Sequence, residues 1–191
     1  MSTVWLENLM YTLSGAFLAP VLFLLAVMFI YSFFLLGAFT MQSIQRRREE
    51  DKYRIQLDNL RQGKEISSTP GYPLLNLTIE IPNISKDELD VAALKLLEGV
   101  RSISRISPML GLIATMIPMG PALKSLSDGN IQGISDNLVI AFSAVIFGLI
   151  ISSITFFIAS QKKRWFAIEL VDVDMALTEF KKSSSEKVSP L

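Results

Sequence analysis

Neither cysteine nor histidine occurs among the 191 residues of this chain. Those two absences exclude disulfide frameworks, thiol nucleophiles, serine–histidine triads and the usual zinc sites. No glycine-rich phosphate loop or other catalytic motif is present, so neither enzymatic chemistry nor a cofactor nor a metal site is expected. Net charge is missing as well. Eighteen Lys and Arg balance eighteen Asp and Glu, which points to neither nucleic acid nor an acidic partner. Lys and Arg are absent altogether from residues 1–45. What the chain does have is apolar mass: half its residues are hydrophobic and its mean hydropathy is +0.42.

That mass lies in uncharged runs. No charge occurs from Asn8 to Gln45, and Leu18 to Phe39 is almost wholly apolar. This second stretch exceeds the ~20 residues needed to cross the hydrocarbon of a bilayer. A second uncharged run spans Ile106 to Leu123 and a third Asn137 to Gln161. The second is short and holds Pro108, Pro118 and Pro121, so a buried core helix is its alternative reading; charge distribution favours a span. Residues 46–105 contain eleven Lys and Arg, only Lys124 separates runs two and three, and Lys162, Lys163 and Arg164 follow run three. The positive-inside rule then places the N-terminus outside and the C-terminus in the cytoplasm of a multi-pass cell-membrane protein. Without a basic flank before it, and with Glu7 there, span one is expected to be a retained anchor and not a cleaved signal peptide.

The expected layout is an all-α membrane protein with long cytoplasmic helical extensions. Residues 1–17 form an extracytoplasmic N-terminus, 18–39 span one, 40–105 a cytoplasmic helical region and 106–123 span two. An extracytoplasmic loop follows at 124–136, then span three at 137–161 and a cytoplasmic helix and tail at 162–191. Residues 46–66 look like a helical continuation of span one. Ser67 to Pro73 is a breaker cluster, and Leu74 to Ile81 reads as a short extended segment. Ser85 and Glu88 form a capping-box pattern. Leu89, Ala93, Leu96 or Leu97, and Val100 then recur at helical spacing, with nothing to stop the helix before span two. Beyond span three, Phe166, Leu170, Val173, Leu177 and Phe180 mark an amphipathic face whose natural partner is the helix of residues 85–105. Ser183 to Leu191 reads as a disordered tail.

Spans two and three carry stripes of small residues. Span two has Ser104, Ser107, Gly111, Ala114, Pro118 and Pro121; span three has Asn137, Ala141, Ala144, Gly148, Ser152, Thr155 and Ala159. Their three- and four-residue spacings keep one helix face toward a neighbour, and small residues let backbones approach closely in lipid. Span one, with large side chains all round, suits a lipid-facing helix. Pro118 and Pro121 leave the carbonyls of Ala114 and Ile117 without amide donors. Thr115 sits beside that weak point, and on spacing alone its hydroxyl bonds back to its own helix.

These segments resemble the MotA/TolQ/ExbB proton-channel family. Ile106 to Thr115 (ISPMLGLIAT) is similar to the family's SP-x-x-GL-x-GT, and Gly133 to Asp136 (GISD) to its GIAEAL segment. The archaeal-type patterns GLMGT-x-IP-x-GPAL and NL-x-IAFSTT-x-x-GL are closer still to Gly111–Leu123 (GLIATMIPMGPAL) and Asn137–Leu149 (NLVIAFSAVIFGL). The resemblance covers about residues 100–160. It implies a homo-oligomer, a pentamer in this family, that encloses a dimer of a single-span ExbD/MotB-like partner and uses proton or sodium flow to drive a motor. Spans two and three would then lie inside the ring and span one outside. It places Thr115 and Asp136 on the ion pathway, with Gly111, Ala114, Pro118, Ala141, Ala144, Val145 and Gly148 on the pore or packing face. Two positions depart from the pattern: Ala114 replaces a glycine, and Ala144-Val145 replaces a threonine pair. Ser143 is the nearest remaining hydroxyl and the substitute candidate. That departure keeps a non-conducting scaffold of the same fold as the alternative.

Overall fold

The structure, a computed structural model, describes residues 2–81 and 84–188. All regular structure among the described residues is helical: α1 (Ser2–Arg48), α2 (Glu50–Arg61), α3 (Pro73–Glu80), α4 (Lys86–Ser127) and α5 (Ile131–Val188). Parts of α1, α4 and α5 are long and apolar enough to cross a membrane, as the three uncharged runs require.

Helix boundaries follow local chemistry. A bend at Glu49 separates α1 from α2, yet backbone bonds into Glu49 and on to Tyr53 continue the ladder. The continuation is shorter than residues 46–66, because α2 stops at Arg61. Gly63 there takes φ +67°, while Gly63 and Lys64 donate to the carbonyls of Leu60 and Asn59. This is the Schellman arrangement, in which a left-handed residue satisfies the last carbonyls of a helix. The same device ends α4, with Gly129 at φ +68° and bonds from Gly129 and Asn130 to Leu126 and Ser125. Asn130 then starts α5, its side-chain oxygen accepting the Gly133 amide at 3.0 Å. The connection is therefore a turn at residues 128–130, and most of the segment 124–136 is helix. At the start of α4 the capping box is closed, with Ser85 Oγ accepting the Glu88 amide and Glu88 accepting the Ser85 amide.

One element differs in kind from the sequence expectation. Residues 74–80 are helical, not extended. Alternation in Leu-Asn-Leu-Thr-Ile mimics a strand, but Pro73 occupies the first helical turn, where its missing amide costs nothing. The next two amides, of Leu74 and Leu75, are bonded by the carboxylate of Glu169. The helix is capped by a residue more than ninety positions away, which a local pattern cannot reveal. At the C-terminus, α5 backbone continues through Val188, so the expected tail is helical as far as it is described, and residues 189–191 lie outside the described residues.

The chain divides into two compact units. The first, residues 1–36 and 100–157, contains most of the apolar runs. Its core joins Leu25, Ala114, Ala144 and Ile151, with Val21, Leu22, Met28 and Phe29 of α1 packed against them. Span one keeps the most outward surface: 11% of its most apolar window is buried, against 28% for α4 and for α5. The second unit, residues 37–99 and 158–191, has its own core. Leu89, Ala93 and Leu97 of α4 meet Phe166, Val173 and Leu177 of α5, as the amphipathic face anticipates, and Tyr53, Leu57, Tyr72, Leu74 and Leu75 complete it.

Candidate functional site

Within the first unit the small-residue stripes meet each other inside one chain. Ser107, Gly111, Ala114 and Pro118 of α4 are buried, as are Ala141, Ala144 and Gly148 of α5. A Cβ built on Gly148 would lie 2.8 Å from the Ser107 carbonyl oxygen and 3.1 Å from Gly111 Cα. One built on Gly111 would meet the Ala144 carbonyl at 3.3 Å and Val145 Cα at 3.4 Å. These are backbone atoms, so the two helices touch through glycine because no larger residue fits. Ser152 Oγ donates to the Ser104 carbonyl at 2.8 Å and adds a polar tie between the two helices. In hydrocarbon such contact replaces the hydrophobic drive that lipid does not supply.

The three ion-path candidates are placed differently. Thr115 is half-buried on α4 and its hydroxyl donates to the Leu112 carbonyl at 2.6 Å, the plainer of the two readings for this residue. Ser143 is half-buried next to buried Ala144, on α5. Asp136 is exposed and accepts from Gln132 at 2.9 Å. It stands in the early turns of α5, not in a loop. No Asp, Glu, Lys or Arg lies within 106–123 or 137–161, so the spanning segments present hydroxyls and backbone but no titratable relay of their own.

The second unit holds a polar centre that sequence reasoning missed. Glu169 of α5 is fully buried. It accepts from Leu74 N–H at 2.7 Å, Leu75 N–H at 3.1 Å and the Arg46 guanidinium at 2.9 Å. Arg46 also donates to the Gly71 carbonyl and lies over the rings of Tyr72 and Trp165. Tyr72 stacks on Tyr53 with centroids 3.9 Å apart, and Tyr53 donates to Asp172. Burial pushes the Glu169 carboxyl above its ordinary range, while Arg46 and the two amides pull it back. Burial, reinforced by Asp172 and Glu169, keeps the Tyr53 phenol protonated far above its usual range. The centre joins α1, α2, α3 and α5, and an open cleft of about 500 Å³ lies beside it, lined by Arg46, Tyr53, Tyr72 and Asp172; the bonds of Glu169 and Arg46 tie these elements together. Its only sequence signal is an acidic residue, Glu169, near the apolar face of α5, which is not enough to name Arg46 as its partner.

Among the described residues no group of acidic side chains could hold a metal ion. A model of the MotA/TolQ/ExbB proton channel family matches residues 83–174, which take in all of α4 and α5 as far as Asp174. No curated protein and no solved structure matches the chain.

Proposed function

We propose, because the chain belongs to the MotA/TolQ/ExbB proton channel family, that it is the ring-forming membrane subunit of an ion-driven motor or stator complex. The family and the three candidate spans make it a multi-pass membrane protein with a channel-type role. On the finer reading, five copies surround two helices of a single-span ExbD/MotB-like partner, and protons or sodium ions pass along that interface. The N-terminus lies outside and the basic regions face the cytoplasm. The observation that carries this reading is the coincidence of the family match with α4 and α5, the two helices that pack by small residues and carry Thr115 and Ser143. With no carboxylate of its own inside the spans, the chain needs a partner's side chain to complete a proton relay.

A non-conducting scaffold of the same fold is the second reading. It is favoured by Ala144-Val145 in place of the family's threonines and by the Thr115 hydroxyl, which is already bonded within its own helix.

The hydroxyls provide the test. A path at mid-depth needs oxygen atoms to replace part of an ion's hydration or to hold a water chain. Thr115→Val and Ser143→Ala are each expected to lower partner-dependent ion uptake by vesicles about tenfold, the rate equivalent of one net hydrogen bond. Assembly should be unchanged. Asp136→Asn should leave uptake at the wild-type level, since that side chain is exposed and bonded to Gln132. Wild-type uptake in both hydroxyl variants removes those residues from any path.

A further inference from the structure

The second unit contains a cleft of about 450 Å³ that the ion-path reading leaves unused. Gln42 and Gln45 of α1 and Lys162 of α5 line it, alongside the apolar surfaces of Met41, Pro73 and Phe166, and no acidic residue does. These three side chains are half-buried, and none has a hydrogen-bond or ion-pair partner among the described residues, whereas Asn76, the other polar residue of the lining, is bonded to Thr69. Neighbouring cations behave differently. Arg46, Arg54, Arg61 and Lys86 each find a carboxylate, while Lys163 and Arg164 are exposed.

We propose that this cleft binds the phosphate group of an anionic phospholipid, with Lys162 as its cation and Gln42 and Gln45 as neutral donors. A partly desolvated ammonium without a carboxylate attracts an anion more strongly than the same group in water. Amide donors beside it suit phosphate oxygens. Position selects the lipid over a dissolved anion. Gln42 and Gln45 follow Phe39, where the apolar run of span one ends, and Lys162 is the first residue after the run of span three. Residues at that point of a spanning helix stand at headgroup depth, where basic pockets take lipid phosphates. Met41, Pro73 and Phe166 offer apolar surface for the glycerol end of the acyl chains. The site is independent of the ring reading.

Native mass spectrometry of the full chain in detergent, titrated with phosphatidylglycerol or phosphatidylcholine, tests the proposal. Wild type is expected to retain phosphatidylglycerol about fivefold more strongly, the effect of one basic residue near an anionic group. Lys162→Gln should abolish that preference, and Lys163→Gln, at the exposed neighbour, should keep it. If Lys162→Gln does not fold, Gln45→Met serves in its place and should weaken phosphatidylglycerol retention. Absence of a preference in wild type, an equal loss in Lys163→Gln, or unchanged retention in Gln45→Met overturns the site. Displacement of the lipid by an equal concentration of inorganic phosphate overturns the assignment to lipid.

Discussion

Replacing Arg46 by methionine is expected to destabilise the second unit by about 3–5 kcal/mol, the cost of leaving a buried charge without its partner. Glu169 is fully buried, and among the described residues Arg46 is the only cation bonded to its carboxylate. Its two amide donors remain in the variant, but they cap α3 and do not neutralise a charge. The loss should depend on pH. Burial already raises the Glu169 carboxyl above 4.5, and removing Arg46 deletes one of the interactions that oppose the rise. With a folded value above the unfolded one, the native state holds a proton that the unfolded chain has released. That contribution is fully present below about 4.5 and is lost as pH rises through the folded value. Arg46→Met should therefore lose more stability relative to wild type at neutral pH than at pH 5. The double variant Arg46→Met, Glu169→Gln should recover part of it, because a neutral amide oxygen still accepts from Leu74 and Leu75. Thermal unfolding of the detergent-solubilised chain at both pH values reads all three. A loss within 0.5 kcal/mol at neutral pH would place the pair among surface ion pairs.

Gly148→Leu is expected to break the α4–α5 seam. A Cβ there already lies 2.8 Å from the Ser107 carbonyl and 3.1 Å from Gly111 Cα, and no rotamer change relieves a clash with backbone. Overpacking typically costs about 1–3 kcal/mol. Gly148→Ala should fall in that range, and leucine, with three further carbons, at or above its upper end. Gly111→Ala should be milder, since its nearest obstacle stands at 3.3 Å. Leu24→Ala is the control. Leu24 is 45% exposed on span one, so its truncation should change stability by no more than about 0.5 kcal/mol. Unfolding in sodium dodecyl sulfate separates these cases. Equal resistance of Gly148→Leu and wild type would contradict close packing at the seam.

Legibility from sequence depended on how local each signal was. The three spans were readable because each is set by a continuous uncharged run. The capping box was readable because Ser85 and Glu88 act on each other across one turn. The face of Phe166, Val173 and Leu177 was readable because helical spacing alone exposes it, and its pairing with Leu89, Ala93 and Leu97 needed only one amphipathic candidate on the other side. The stripes of spans two and three indicated packing, and the structure places Gly111 against Gly148 within one chain. Two things were missed for the same reason. The helix at Pro73–Glu80 depends on Glu169, and Glu169 depends on Arg46, 123 positions away. Arg46 sits in a run of three arginines, where nothing distinguishes it from its neighbours. The turn at 128–130 was readable in principle, since Gly129-Asn130 is a helix stop followed by a helix start; a polar stretch between two spans resembles a loop unless those two residues are weighed.

The central claim, that this chain conducts ions together with a single-span partner, is tested most directly by ion uptake into vesicles. Vesicles containing the chain alone are compared with vesicles containing the chain and a single-span ExbD/MotB-like protein. The account predicts uptake of protons or sodium ions in the second preparation, background in the first, and loss with Thr115→Val. Background in both preparations, with uptake appearing when Val145→Thr restores the family's hydroxyl, would contradict it and leave the chain as a scaffold.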